Sequence, residues 1–270
     1  MITHFTQIIA AYVPSESSKI ALRHAIDLSL QHNAKLTILN VNPHKTRDGL
    51  VKKDIDEIIS DRNAQYGFVE KIGIPYKEIL TLEEAINADL IVMGTHGSKE
   101  VDPDWIGGNA FKVLSGSSCP VLIFPPNQHD VGFKNIVLPV ADASETRQKV
   151  PLTVSLAKTY GAKVHIVIVN KQETPEVIHK LKIYADQIKK YCDERDVANT
   201  LEEIYNKNIS DACVDYANKV NADLISIMSE RESPTGYFMG HYAQQLVNTS
   251  SAPVLTIHSK DAKLSGEAGY

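Results

Sequence analysis

The chain repeats itself. "NADLIVMGTHG" at 87–97 matches "NADLISIMSER" at 221–231, an offset of 134. "SSCPVLIF" at 117–124 matches "SSAPVLTI" at 250–257, an offset of 133, and "AKLTILNV" at 34–41 matches "AKVHIVIV" at 162–169, an offset of 128. A period near 130 residues is too long for a solenoid unit, so each copy is expected to be a domain with its own core. The offsets locate the length changes. The second copy gains six residues between its second and fourth strands and loses one in the loop that follows "NADLIVM". "PPNQHDVGFKN", 125–135, reads as the linker by its prolines and polar residues.

Within each copy short β-rich runs alternate with helical patterns. The first copy reads as strand "QIIAAYV", a helix from Ser15 or Ser17 to about Gln31, strand "KLTILNV", helix "VKKDIDEIISDRNAQYGFVEKIG", strand "PYKEIL", a short crossover "TLEEAINA", strand "DLIVMG", helix "GGNAFKVLSGS" and strand "PVLIF". Ile20, Ala21, His24, Ala25, Leu28 and Ser29 recur at helical spacing and give one buried stripe. The unbroken apolar runs suit strands covered on both faces. Such alternation builds a parallel sheet with right-handed crossovers. The eight residues of "TLEEAINA" are short for a crossover, whereas the second copy has a full helical pattern there, "NKNISDACVDYANKVN".

Composition narrows the function. Of 270 residues, 33 are acidic and 28 are Lys or Arg, a net charge of −5, which argues against nucleic acid or an anionic membrane as partner. No apolar run approaches the roughly 18 residues of a membrane helix, and no signal peptide is expected. Cys119, Cys192 and Cys213 are widely spaced and form no metal-type cluster, as suits a cytoplasmic protein with unpaired thiols. The histidines show no ligand spacing; His165, between Val164 and Ile166, is expected at one face of the core. The serines of "SESS" and "DASE" read as helix caps.

"GTHGSKEVDPDWIGGNA", 94–110, starts at the carboxyl end of a strand, where open parallel sheets bind ligands. Gly94 and Gly97 permit positive φ or close backbone approach. Gly107 and Gly108 stand where the last helix begins, and its unpaired N–H groups favour an anion. From spacing alone two readings stay open: a phosphate cradle, or a glycine-bearing turn.

Together these stretches resemble the universal stress protein family, as two domains in tandem. "ADLIVMGTHG", nine residues, a glycine and a helix into "CPVLIF" are similar to that family's nucleotide motif, G-x-x-G, nine residues, then Gly followed by Ser or Thr. Gly94, Gly97 and Gly107 keep the spacing, and Gly108 stands at the hydroxyl position. The resemblance implies an α/β fold of two open parallel five-stranded sheets in order 3-2-1-4-5, with helices on both faces. The two would pack as an internal pseudo-dimer through "PVLIF" and "PVLTI". It divides the chain into a domain at 1–127 with a partly intact motif, a domain at 132–259 with a degenerate motif, and a flexible tail at 260–270.

The ligand so implied is ATP or a related adenine nucleotide, with or without Mg²⁺. Carried over, the backbone N–H groups of Gly94, Gly97, Gly107, Gly108 and Asn109 would face the phosphates. Met93 and His96 would flank ribose and phosphates, and the Val41 backbone would read the adenine edge. Val13, at a position where the family carries Asp, would offer an apolar wall, and Ala110 completes the set. In the second copy Met228, Arg231 and His241 replace three motif positions, only Gly240 matches, and Glu230 and Glu232 bring negative charge, so no ATP site is expected there. The expected role is a non-catalytic stress-response protein, with room for slow ATP hydrolysis and for a homo-oligomer. An interaction protein that binds no nucleotide is the alternative.

Overall fold

The computed structural model describes residues 3–43, 49–60, 62, 64–95, 108–126, 131–141, 144–170, 174–205, 208–229 and 241–258. The first copy runs β1 (Gln7–Ala11), α1 (Glu16–His32), β2 (Lys35–Asn42), α2 (Gly49–Ile59), β3 (Tyr66–Ile72), α3 (Pro75–Ile86), β4 (Leu90–Gly94), α4 (Gly108–Gly116) and β5 (Val121–Phe124). The second runs β6 (Asn135–Val140), a 3₁₀ turn (Ser144–Lys149), α5 (Val150–Tyr160), β7 (Lys163–Asn170), α6 (Pro175–Asp193), β8 (Asn199–Tyr205), α7 (Ile209–Lys219), β9 (Leu224–Ser229), α8 (His241–Thr249) and β10 (Val254–His258).

The ten strands form one sheet in the order β3-β2-β1-β4-β5-β10-β9-β6-β7-β8. Each half is a parallel five-stranded array in order 3-2-1-4-5. The halves meet where β5 and β10 pair antiparallel, Val254 opposite Ile123 and Thr256 opposite Val121. A last strand with a bare edge leaves a row of unpaired N–H and C=O groups, and here each copy's edge covers the other's. The expected pseudo-dimer is therefore one continuous sheet.

Alternating strand residues feed two cores. Ile8, Ala10, Leu36 and Ile38 pack with residues of α1, α2, α5 and α6. Ile9, Leu39, Val41, Ile91 and Met93 pack with α3, α4, α7 and α8. The copies repeat their tethers as well as their strands. Asp89, before β4, accepts from the backbone of Thr6 and Gln7 at 2.7 and 3.1 Å. Asp223, before β9, accepts from Lys134 and Asn135 at 2.7 and 2.8 Å. Ser15 caps α1 by accepting from the Ser18 N–H.

One segment departs from expectation. The single helix expected over 51–73 is α2 followed by β3, and the strand expected over 75–80 is the start of α3. β3 is an edge strand, half exposed along its length, so Phe68 and Val69 fall into a spacing that imitates one helix face. The true punctuation is Gly73-Ile74-Pro75. Ile74 is extended and Pro75 occupies the first turn of α3, where proline is favoured because its missing N–H is not needed. The short crossover thus disappears: α3 has 12 residues. The six residues gained by the second copy fall where α6, with 19 residues, replaces α2, with 11.

Candidate functional site

At the carboxyl ends of β1, β2 and β4 a cleft of about 120 Å³ opens between α3 and the start of α4. Its wall is Ala11, Tyr12 and Val13 from the end of β1, Leu39 and Val41 from β2, Met93, Gly94 and Thr95 from the end of β4, and Asn109 and Ala110 from α4. Ser18 of α1 and Pro75 and Ile79 of α3 complete it. This is the switch point of the first half, where the chain leaves β1 for β2 on one side and β4 lies on the other.

Six of the residues singled out from the sequence thus surround one cleft: Val13, Val41, Met93, Gly94, Asn109 and Ala110. Gly108 is the first residue of α4, exposed, and does not line the cleft; a Cβ added to it would meet nothing within 4 Å. His96, Gly97 and Gly107 lie outside the described residues, as do Glu230, Arg231, Glu232 and Gly240 of the second copy.

Gly94 corrects one expectation and keeps another. Its φ is not in the left-handed region, so positive φ is not its reason for being glycine. Close approach is: a Cβ would stand 2.8 Å from the Ser17 carbonyl carbon and from the Ser18 nitrogen. The end of β4 runs directly under the first turn of α1.

Much of the described wall is apolar. Val41, Met93, Ile79 and Ala110 are all buried. Polar groups are few. The Thr95 N–H is spent on the Phe124 carbonyl at 2.9 Å. Tyr12 is buried and its hydroxyl donates to Asp54 of α2; burial and the Asp54 carboxylate push its phenol pKa up, which keeps it a donor. Asn40 holds the Tyr12 carbonyl at 2.9 Å. The N–H groups that open α4, at residues 108–110, have no intrahelical acceptor and no acidic side chain in the first turn. They are the anion-favouring element of the cleft, at its rim.

None of the described wall residues carries a charge. Lys112, further along α4, turns to α3 and lies 4.7 Å above the ring of Tyr76. His165 sits in the core, hydrogen-bonded to Asn135 and Thr200, and the three cysteines are buried thiols. Among the described residues no cluster of His, Cys, Asp or Glu has the makings of a metal site, and no helix is long and apolar enough to cross a membrane.

Ala11, Tyr12, Ser18, Leu39, Pro75, Ile79 and Thr95 are lining residues that the sequence does not single out. Pro75 and Ile79 were hidden because their segment reads as a strand. Tyr12 and Thr95 flank foreseen positions, and the end of a strand at a switch point is the signal that marks them.

The model of the universal stress protein family matches residues 4–125 and again 132–258. A universal stress protein of Methanocaldococcus jannaschii is 28% identical over 133 residues, covering 41% of this chain and 78% of its own length. A homologue of universal stress protein A from Coxiella burnetii is 26% identical over 143 residues, covering 44% and 95%. Two solved structures share the whole architecture. A functionally unknown protein of Pseudomonas aeruginosa superposes with a TM-score of 0.74 at 15% identity, covering 96% of this chain and 94% of its own. A universal stress protein of Archaeoglobus fulgidus gives 0.72 at 17% identity, covering 94% and 98%. Other universal stress proteins have been solved in complex with cAMP and with dAMP, but they align to under half of this chain with TM-scores of 0.38 and 0.37, too slight a likeness to place a ligand here.

Proposed function

This chain belongs to the universal stress protein family, two of whose domains it carries in tandem, and from that premise we propose that its first domain binds ATP or a related adenine nucleotide in a non-catalytic, regulatory role. The observation that carries the reading is the cleft at the ends of β1, β2 and β4, with an apolar wall on one side and the N-terminus of α4 on the other. The base would lie against Val41, Met93 and Ile79. The phosphates would reach Asn109 and Ala110 at the start of α4, and Gly97 and Gly107 of the intervening loop by their motif spacing.

Catalysis is not part of the proposal. Backbone N–H groups hold ground-state charge, whereas acceleration needs groups that act more strongly in the transition state. Phosphoryl transfer calls for a metal clamp, a positioned acceptor and a basic side chain on the transferred group. The described wall offers none of these, and Tyr12 is committed to Asp54.

A second reading is an interaction protein without a nucleotide. The size of the cleft favours it, since about 120 Å³ is below the roughly 300 to 1,000 Å³ of most small-molecule sites. Titration calorimetry separates the two. The nucleotide reading expects one ATP per chain, lost in Gly107→Asp and kept in Gly240→Asp. Absence of heat with ATP, ADP and AMP at millimolar concentration sustains the interaction reading.

A further inference from the structure

In the second domain the place that corresponds to this cleft is taken up by the chain itself. β6 reads "NIVLPV", with Pro139 in a central strand. Proline has no N–H to give to a ladder and is normally kept to edges and bulges. In the first domain β1 pairs with β4 as far as Ala11 opposite Met93. In the second, β6 pairs with β9 only as far as Val137 opposite Ile225. The ladder therefore ends two residues early, at the switch point of this half.

Side chains occupy the gap. Thr153 and Ser226 share a hydrogen bond of 2.7 Å between their hydroxyls. Lys149, the last residue of the 3₁₀ turn, is 3% exposed. Its Nζ donates to the Pro139 carbonyl at 2.6 Å and to Thr146 Oγ1 at 3.4 Å. Thr146 Oγ1 in turn accepts from the Ala141 N–H at 3.2 Å. No carboxylate of the described residues pairs with this ammonium.

The surroundings of Lys149 are the counterparts of the first domain's cleft. By the offset of 128, Pro139 matches Ala11 and Thr146 matches Ser18; by 134 Cys213 matches Ile79; by 133 Tyr242 matches Asn109. All four first-domain residues line the cleft. Cys213 Sγ and the Tyr242 hydroxyl lie 3.4 Å apart, so the two walls touch. Lys149 itself matches Ala21, a buried alanine of α1 that reaches nothing.

We propose that the switch-point crevice of the second domain is a primary-ammonium site whose resident ligand is the chain's own Lys149. Its neutral oxygens suit a cationic donor, and a buried carbonyl left without a partner is costly. The lysine fills the volume and donates to the Pro139 carbonyl where the β6–β9 ladder has ended. Burial pulls its pKa down to about 8, in keeping with an ammonium held by uncharged acceptors. The second domain is thereby closed without any added ligand, whether or not the first domain binds nucleotide.

Chemical rescue of the full chain tests this. Lys149→Ala should lower Tm by several degrees. n-Propylammonium at millimolar concentration should restore more than half of that loss, while sodium chloride at equal ionic strength restores none. Wild type and Lys149→Met, in which the crevice stays filled, should not respond. A Lys149→Ala variant that responds no more to n-propylammonium than to salt would overturn the proposal. If that variant does not fold, acetylation of the native wild type read by mass spectrometry decides. Lys149 should react roughly a hundredfold more slowly than exposed Lys52 and Lys53, because reaction requires local opening. Equal rates would refute residence in the crevice.

Discussion

The α carbon of Gly94 lies so close under α1 that a Cβ there would stand 2.8 Å from the backbone nitrogen of Ser18. The obstacle is main chain, so no rotamer change relieves it. Gly94→Ala should push α1 away from the end of β4 at a cost of about 1–3 kcal/mol, as overpacking does, and lower Tm by several degrees. Thermal unfolding followed by circular dichroism checks it. An unchanged Tm would mean that α1 does not rest on this glycine.

Gly108 is the opposite case. A Cβ there meets nothing within 4 Å, and the position opens α4. Gly108→Ser should leave Tm within about 1 °C, because surface changes of this kind seldom exceed ±0.5 kcal/mol. If phosphates lie at the start of α4, the added hydroxyl contributes a hydrogen bond to a charged group, about 1.5–3 kcal/mol. ATP affinity should then rise roughly tenfold or more in calorimetry. Unchanged affinity would move the phosphates away from α4.

The seam between the domains is fixed by side chains as well as by strands. The Tyr160 hydroxyl of α5 donates to Asp27 of α1 at 2.6 Å. Burial and the Asp27 carboxylate push the phenol pKa up, so it stays a donor. Tyr160→Phe should cost about 1–2 kcal/mol. A double-mutant cycle with Asp27→Asn should return a coupling above about 0.5 kcal/mol. Strict additivity would show that the contact does not hold the halves together.

Lys149 sets a pH dependence whose sign is fixed. Its folded pKa of about 8 lies below its ordinary 10.5. Between those values the unfolded chain binds the extra proton, so stability attributable to this group rises with pH. Below pH 8 the cost of burying the charge is present in full. Above about 10.5 it is relieved. The difference in unfolding free energy between wild type and Lys149→Met should shift in favour of wild type from pH 8 to pH 10. A flat difference would mean that Lys149 is not desolvated.

Much of the fold was legible because two copies constrain one another. The matched strands "NADLIVM" and "NADLISIM" and the closing "PVLIF" and "PVLTI" fixed the alternation, and an edge strand needs a partner, which gives the seam. The failure at 51–80 is equally physical. β3 is only partly covered on either side, so its pattern carries less information than that of a covered strand, and the proline that opens α3 is the stronger signal. At the site, strand ends and glycine spacing led to Gly94, and the family resemblance to Val13, Val41, Met93, Asn109 and Ala110. Ile79 was lost with its helix. The crevice of Lys149 was not legible at all: nothing in "SETRQKV" shows that its lysine turns inward, and only Pro139 in a central strand hinted that the ladder ends there.

Native mass spectrometry of the full chain titrated with ATP tests the central claim most directly. The account predicts one nucleotide adduct per chain, abolished by Gly107→Asp and unaffected by Gly240→Asp. No adduct at millimolar ATP, or two adducts of equal occupancy, would contradict it.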